Sequence, residues 1–276
     1  MYTTLIDATA LQANLEKSSW VTVDCRFDLA DTAAGRQQYL QSHIPGAVYA
    51  HLDEDLSGPP VTDNGRHPLP TPDALAALFA EMGIGSHSQV VVYDAHNGMV
   101  ASRLWWMLRF MGHETVAVLD GGWQAWQAAE FGTRSGQETN RPAQFTGQAR
   151  LEWLTLMADI PAQKLLIDSR GGERFRGEIE LYDTQAGHIP GAVNYFYQEN
   201  WGADGRYLPL AEMYAKLETI LGNTPVEEAV FYCGSGVSAC VNLLALKHVG
   251  LGDGRLYVGS WSEWSRHPDN PIAIGN

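Results

Sequence analysis

His43-Ile44-Pro45-Gly46-Ala47-Val48 recurs without a change as His188-Ile189-Pro190-Gly191-Ala192-Val193. Outward from these hexapeptides, other landmarks keep nearly the same separation. Val23-Asp24-Cys25-Arg26 answers to Ile167-Asp168-Ser169-Arg170, and Val90-Val91-Val92-Tyr93-Asp94 answers to Ala229-Val230-Phe231-Tyr232-Cys233. Gly121-Gly122-Trp123-Gln124-Ala125-Trp126 answers to Gly259-Ser260-Trp261-Ser262-Glu263-Trp264. Self-similarity of this kind marks a duplicated unit. The chain therefore reads as two similar domains, 1–140 and 150–276, joined within 132–150. That joining segment is rich in Gly, Thr, Ser, Gln and Asn and lacks apolar periodicity, as a linker should.

Each half alternates strands with helices. Residues 20–24, 89–94 and 115–119 read as strands in the first half, and 164–168, 228–232 and 255–258 in the second. Thr71 followed by Pro72 opens a helix running to about Met82, and 99–111, 210–221 and 237–249 are helical by composition and length. Val- and Ile-rich strands alternating with helices predict an α/β fold of two tandem domains, each a mostly parallel sheet flanked by helices. Its sites should lie at strand C-terminal ends.

Composition narrows the function. The 276 residues are 45% hydrophobic, enough to fill two cores. With 32 acidic against 18 basic side chains the net charge is −14, which disfavours nucleic acid and anionic membranes as partners. No apolar run reaches the roughly 18 residues of a membrane helix. The first residues, Met1 to Lys17, lack the layout of a secretory signal, so a cytoplasmic protein is expected. Three scattered cysteines, Cys25, Cys233 and Cys240, do not make a disulfide framework, which fits a reducing compartment. No Cys/His spacing fits a zinc site and no glycine pattern fits a nucleotide loop, so neither metal nor cofactor is expected.

The chemistry concentrates at Cys233-Gly234-Ser235-Gly236-Val237-Ser238-Ala239-Cys240, between a predicted strand and a predicted helix. Gly234 and Gly236 can take positive φ, so successive N–H groups can curl around the Cys233 sulfur as an anion-holding nest backed by a helix N-terminus. Such surroundings stabilise a nucleophilic thiolate. A cysteine can equally end a strand as a small buried hydrophobe. The duplication weighs against that: Cys233 faces Asp94 in the other half, whose loop, Ala95-His96-Asn97-Gly98, is one residue shorter, and a purely structural residue would be kept in both copies.

These residues resemble a family, the tandem rhodanese-like sulfurtransferases, and most closely its 3-mercaptopyruvate sulfurtransferase branch. The marks are the two HIPGA turns, the DCR and DSR strand ends, the LDGGWQAW and VGSWSEW closures, and CGSGVSA. The resemblance implies a rhodanese fold in each half, a non-catalytic N-terminal domain, and a C-terminal Cys233 that carries sulfur as a persulfide. It implies a small-molecule donor, 3-mercaptopyruvate, releasing pyruvate, and a thiol acceptor such as thioredoxin or a small thiol, or cyanide. Gly234, Gly236, Val237 and Ser238 would surround the donor; Ser238 stands where the family more often has threonine. Ser235 matches a serine coupled to a histidine and an aspartate of the N-terminal domain, here His67 and Asp53. Arg174 matches the first of two family arginines that bind the donor's carboxylate. The second is expected nine positions on, where the chain has Asp183 after Leu181 and Tyr182. Tyr182, Arg176 and Arg170 are the candidates to replace it.

Thiosulfate is the alternative donor, but Gly234-Ser235-Gly236 lacks the basic residues expected for a doubly charged one. Other readings are weaker. A cysteine-based phosphatase needs a longer loop closing on an arginine, and Ala239 stands at that position. A persulfide-carrying or partner-binding module would have no need of an intact CGSGVSA. His43 and His188, present in both copies before Ile-Pro-Gly, read as structural turns. Cys25 and Cys240 read as packing, and the chain is expected to be a monomer.

Overall fold

Consecutive apolar strands that are each followed by a helix cannot pair as hairpins, because the crossover returns the chain to the same sheet edge. The computed structural model describes residues 1–59, 61, 64–95 and 98–276 and bears this out in two compact units. One unit comprises 1–58, 70–150 and 203–207, and the other 59–69, 151–202 and 208–276. His96 and Asn97, which account for the shorter loop after Asp94, lie outside the described residues.

In the first unit the strands are β1 (Leu5–Ile6), β2 (Trp20–Asp24), β3 (Val48–Tyr49), β4 (Gln89–Tyr93) and β5 (Val116–Leu119). They form a parallel sheet in the order β1-β5-β4-β2-β3. The helices are α1 (Ala8–Gln12), α2 (Ala34–Gln41), α3 (Pro72–Glu81), α4 (Met99–Phe110) and α5 (Gly122–Ala128). Thr71 caps α3 by accepting from the Ala74 N–H at 3.3 Å, with Pro72 in the first turn, where its missing donor is harmless. Strand β4 is wholly buried, as a continuous Val run between two helical layers must be.

The second unit repeats the plan with β6 (Leu165–Asp168), β7 (Val193–Asn194), β8 (Ala229–Tyr232) and β9 (Arg255–Leu256), parallel in the order β7-β6-β8-β9. Its helices are α6 (Gly172–Phe175), α7 (Leu210–Leu221), α8 (Ala239–His248) and α9 (Ser260–Trp264). Helix α8 is buried along nearly its whole length, which explains its unbroken apolar composition. Among the described residues no helix is long and apolar enough to cross a membrane.

Both units close the same way. Asp24 ends β2 and takes the Arg26 guanidinium side-on, at 2.9 Å to Nε and 2.6 Å to Nη2, while Arg26 also donates to the Ser42 carbonyl at 2.6 Å. Asp168 and Arg170 repeat this at 3.1 and 2.6 Å, with the Gly187 carbonyl as third partner at 2.7 Å. Each guanidinium sits over a tryptophan: Arg26 over Trp123 at 4.6 Å and Arg170 over Trp261 at 4.7 Å. Burial opposes the charge on Arg170, but the Asp168 carboxylate overcomes it and holds the guanidinium more firmly protonated than usual. The histidines of the two HIPGA turns are also matched. His43 Nδ1 lies 2.7 Å from the Tyr39 carbonyl with its ring stacked on Tyr39, and His188 Nδ1 lies 2.7 Å from the Phe175 carbonyl with its ring stacked on Phe175. Both serve as turn anchors, as the duplication indicated.

The polar segment 132–150 is strapped down within the first unit. His43 and Arg134 exchange main-chain bonds at 2.8 and 3.0 Å, Ala143 N–H donates to Ala80, and Arg150 N–H donates to Phe110, both at 2.9 Å. Its lack of periodicity reflects pairing along its own main chain, which leaves no pattern in the side chains.

Removing one member of a buried ion pair leaves an uncompensated charge, which costs about 3–5 kcal/mol. Asp24→Ala should therefore lower the stability of the first unit by about that amount in urea unfolding followed by tryptophan fluorescence. A loss below about 1 kcal/mol, the worth of an exposed pair, would show the Arg26 guanidinium to be solvated after all.

Candidate active site

The end of a central parallel strand leaves main-chain donors that must find acceptors. In the first unit Asp94 follows β4, and its carboxylate accepts from the N–H groups of Gly98 and Val100 at 2.9 Å and of Ala101 at 3.2 Å. The start of α4 thus holds an anion. Cys233 stands at the same place after β8, and the equivalence is exact in main-chain terms, since Trp123 N–H donates to Asp94 O at 2.9 Å and Trp261 N–H to Cys233 O at 3.0 Å.

Around Cys233 the N–H groups have no such carboxylate. Among the described residues, those of Gly234, Ser235, Val237 and Ser238 donate to no main-chain carbonyl. Gly236 has φ +73°, and a Cβ there would come within 2.4 Å of the Val258 carbonyl, so only glycine fits. Cys233 is 1% exposed. Its own N–H donates to Ser260 Oγ at 3.1 Å, and that hydroxyl donates on to the Tyr257 carbonyl at 2.9 Å. Val237 is buried and Ser238 half-buried at the start of α8.

Ser235 is 6% exposed, and its Oγ lies 2.7 Å from His67 Nδ1. Segment 59–69, which carries His67, clusters with the second unit. Its main chain is pinned there: Arg66 N–H donates to Ser262 Oγ at 3.0 Å, and a Cβ on Gly65 would strike the Gly259 carbonyl at 2.5 Å. Asp53 lies in the first unit, in a turn where its N–H donates to His51 Nδ1 at 3.2 Å, and burial raises its carboxyl above the usual range.

Arg174, on α6, is held by Glu180 through Nε at 3.2 Å and Nη2 at 2.7 Å, and by Asp183 through Nη2 at 3.2 Å. Glu180 also accepts the N–H groups of Leu181 at 3.0 Å and Tyr182 at 2.9 Å. Burial opposes ionisation of Glu180, but the bonds from Arg174 and Tyr182 and the nearby charges of Arg174 and Arg170 outweigh it, so its carboxyl stays below the usual range. A Cβ built on Gly234 would lie 3.4 Å from Arg174 Nη1, which places this guanidinium against the cysteine loop.

A profile of the rhodanese-like domain matches residues 7–129 and again 151–267. The chain belongs to the rhodanese-like domain family. A Pseudomonas aeruginosa protein, provisionally named as a 3-mercaptopyruvate sulfurtransferase, is 43% identical over 99% of this chain and 98% of its own. A Mycobacterium tuberculosis protein, provisionally named as a thiosulfate sulfurtransferase, is 37% identical over 98% of this chain and 97% of its own. Among solved structures, the 3-mercaptopyruvate sulfurtransferase from Leishmania major superposes with a TM-score of 0.87 at 32% identity, covering 98% of this chain and 76% of that one.

Within this rhodanese-like pair the sequence-level candidates divide. Cys233, Gly234, Ser235, Gly236, Val237, Ser238, Arg174 and His67 come together in the second unit, and Asp53 lies in the first. Two proposed stand-ins for the second arginine are committed elsewhere: Arg170 to Asp168, and Arg176 to Glu178 at 2.7 Å. Tyr182 offers its ring face, with Arg174 at 5.1 Å and Arg66 at 5.7 Å from its centroid. Cys240 donates to the Gly236 carbonyl at 3.4 Å and is packing. Burial and the neighbouring Asp24, Asp94 and Asp55 charges push the Cys25 thiol well above its usual range, so it is inert near neutrality.

Sequence reasoning passed over Ser260, Glu180 and Arg66. The signal for Ser260 was the one change between Gly-Gly-Trp and Gly-Ser-Trp in the repeated closure. Gly122 and Ser260 both have φ +55°, so the second unit places a serine where the first keeps glycine. A left-handed non-glycine residue costs about 1–2 kcal/mol, which the buried hydroxyl offsets by satisfying the Cys233 N–H.

Two outcomes follow from this geometry. Ser260→Ala keeps the left-handed strain and orphans a buried donor, so it should destabilise the second unit by about 1–3 kcal/mol. Ser260→Gly orphans the same donor but relieves the strain, and should be about 1 kcal/mol more stable than Ser260→Ala in urea unfolding; the reverse order would contradict the left-handed strain at this position. For Glu180 the folded value lies below its ordinary 4.5, so its contribution is complete above pH 4.5 and lost as the pH falls through the folded value. The stabilities of the wild type and Glu180→Gln should converge as acid is added below pH 4.5, and a gap independent of pH would rule out this ionisation.

Proposed function

We propose that the chain moves sulfur from 3-mercaptopyruvate through a Cys233 persulfide to a thiol or cyanide acceptor, releasing pyruvate. The observation that carries the reading is the cysteine loop itself. It occupies the place where the first unit's loop grips the Asp94 carboxylate with three N–H groups, and here that anion is replaced by a sulfur nucleophile.

In the first step the Cys233 thiolate attacks the donor sulfur. An S–S bond forms, the donor's C–S bond breaks, and its electron pair leaves on carbon as the enolate of pyruvate. That enolate takes the proton the donor's thiol brought, giving pyruvate and a persulfide anion held by the loop's N–H groups. The acceptor thiolate or cyanide then attacks the outer sulfur and returns Cys233 to its thiolate. Ser235 hydrogen-bonds the donor's carbonyl as charge develops on it, and His67, at 2.7 Å, orients and polarises that hydroxyl. The family pattern adds Asp53, which the first unit carries, to this set. Arg174 binds the donor's carboxylate, for which a guanidinium edge is matched in shape and charge. The reading takes the chain as a cytoplasmic monomer acting on small molecules, consistent with Cys25, Cys233 and Cys240 forming no disulfide among the described residues.

Thiosulfate is the second donor to weigh, favoured by the relative from Mycobacterium tuberculosis and by the guanidinium beside Gly234. Ratios of kcat/KM with cyanide as acceptor decide between them, and 3-mercaptopyruvate should be the better donor.

Incubation with 3-mercaptopyruvate followed by intact mass measurement should show one added sulfur atom, removable by dithiothreitol. Cys233→Ser should abolish the adduct, while Cys25→Ser and Cys240→Ser retain it; an adduct surviving Cys233→Ser would refute the assignment. Ser235→Ala and His67→Gln should each lower kcat by about 10²-fold with little further loss in the double variant, as expected of groups acting as one unit.

A further inference from the structure

The family pattern asks for a second arginine at position 183, and the chain has an aspartate there. The structure assigns that role to Arg66. A Cβ on Gly234 would lie 2.9 Å from Arg66 Nη2 and 3.4 Å from Arg174 Nη1, so two guanidinium groups converge on the residue next to Cys233. We propose that Arg66 and Arg174 together bind the carboxylate of the sulfur donor, and that Asp183 is the positioning residue that holds Arg66 there. This deepens the sulfurtransferase reading and rests on it.

The ion-pair pattern carries the argument. Asp183 is a bridge: one carboxylate oxygen pairs with Arg66 Nη1 and the other with Arg174 Nη2, the latter at 3.2 Å. Its side chain is 2% exposed, so it is committed to these partners and not to solvent. Two guanidinium groups this close repel one another, and a carboxylate between them removes that repulsion. What remains is directional. Arg66 Nη2 and Arg174 Nη1 are the nitrogens nearest Gly234, and among the described residues neither donates to a protein acceptor. The Tyr182 ring faces both guanidinium groups, at 5.7 Å from Arg66 and 5.1 Å from Arg174.

The charge at position 183 has therefore changed sign while the cation has been supplied from segment 59–69. The backbone there is held independently of the Arg66 side chain, by the Ser262 hydroxyl and by the close approach of Gly65 to Gly259. Substituting the side chain should thus leave the loop in place. Because Glu180 and Asp183 balance the two arginines, recognition depends on paired N–H donors and not on bare positive charge, which suits a planar carboxylate.

The test compares Arg66→Ala, Arg66→Lys, Asp183→Asn and the pair Arg66→Ala with Asp183→Arg. Arg66→Ala should raise KM for 3-mercaptopyruvate by about 10- to 100-fold with a much smaller change in kcat, the split expected on losing a charged hydrogen bond to a bound carboxylate. Pyruvate, which keeps the carboxylate and lacks the sulfur, should weaken as a competitive inhibitor by a similar factor. Asp183→Asn should raise KM less, and Arg66→Lys should fall between wild type and Arg66→Ala. The double variant, with arginine restored at 183, should regain at least about tenfold of the lost affinity, which no merely structural role of Arg66 predicts. Unchanged KM and pyruvate inhibition in Arg66→Ala, or no recovery in a folded double variant, would overturn the proposal while leaving the sulfurtransferase reading intact. If wild type itself forms no Cys233 persulfide with 3-mercaptopyruvate, that reading fails instead.

Discussion

Main-chain N–H groups at the C-terminal end of a buried central strand need an acceptor, and the rest of this structure is arranged around how each half meets that need. The first unit meets it with a carboxylate: Asp94 takes three donors from its own loop and the start of α4. A neutral side chain at that place would leave several buried donors unsatisfied, each worth about 1–3 kcal/mol. The second unit has no carboxylate there. Its N–H groups at Gly234, Ser235, Val237 and Ser238 donate to no main-chain carbonyl among the described residues, and Cys233 stands where the carboxylate would be. A carboxylate in one copy and a cysteine in the other stand at the same place on the backbone.

Keeping the backbone the same demands a rigid frame, and the duplicated features supply it. The Asp-Arg pair, the tryptophan beneath the arginine, and the histidine stacked in the HIPGA turn recur with distances that differ by a few tenths of an ångström. None of them carries chemistry. They lock the strand ends so that the loop after the central strand starts from a fixed point. At that loop the halves differ where it matters for the site, with Asp94 against Cys233 and Gly122 against Ser260.

An acidic protein can meet an anionic donor through oriented N–H groups without a net positive patch. Here three arginines, 66, 170 and 174, are laced together by Glu180 and Asp183. Buried acids do not defeat the purpose, because they orient the guanidinium groups and leave selected N–H edges unspent. Glu180 is central, since it reaches Arg170 of the strand-end pair at 3.4 Å and Arg174 at 2.7 Å, coupling the frame to the guanidinium beside Gly234.

What is local in the chain could be read from it. The repeat, the long strands and helices, the cap at Thr71 and the glycine-rich loop after β8 are written in neighbouring residues, and helix Leu210–Leu221 matches its expected span end to end. The two-residue edge strands β1, β3 and β7 escaped notice because so short a pairing has no periodicity of its own. The segment 132–150 read as a linker because its ties are made by backbone atoms, which composition does not record. Cys233, Ser235 and Arg174 stood out through motif and family pattern, whereas the partner of Asp183 could not be found that way. Arg66 lies 117 positions from Asp183, and His67 lies 168 from Ser235. No spacing rule joins residues so far apart, so the sequence alone determined the candidate cysteine loop and the duplicated frame. Only the folded chain decided which cation stands beside it, because convergence in space depends on how segment 59–69 is held and not on anything in its own order.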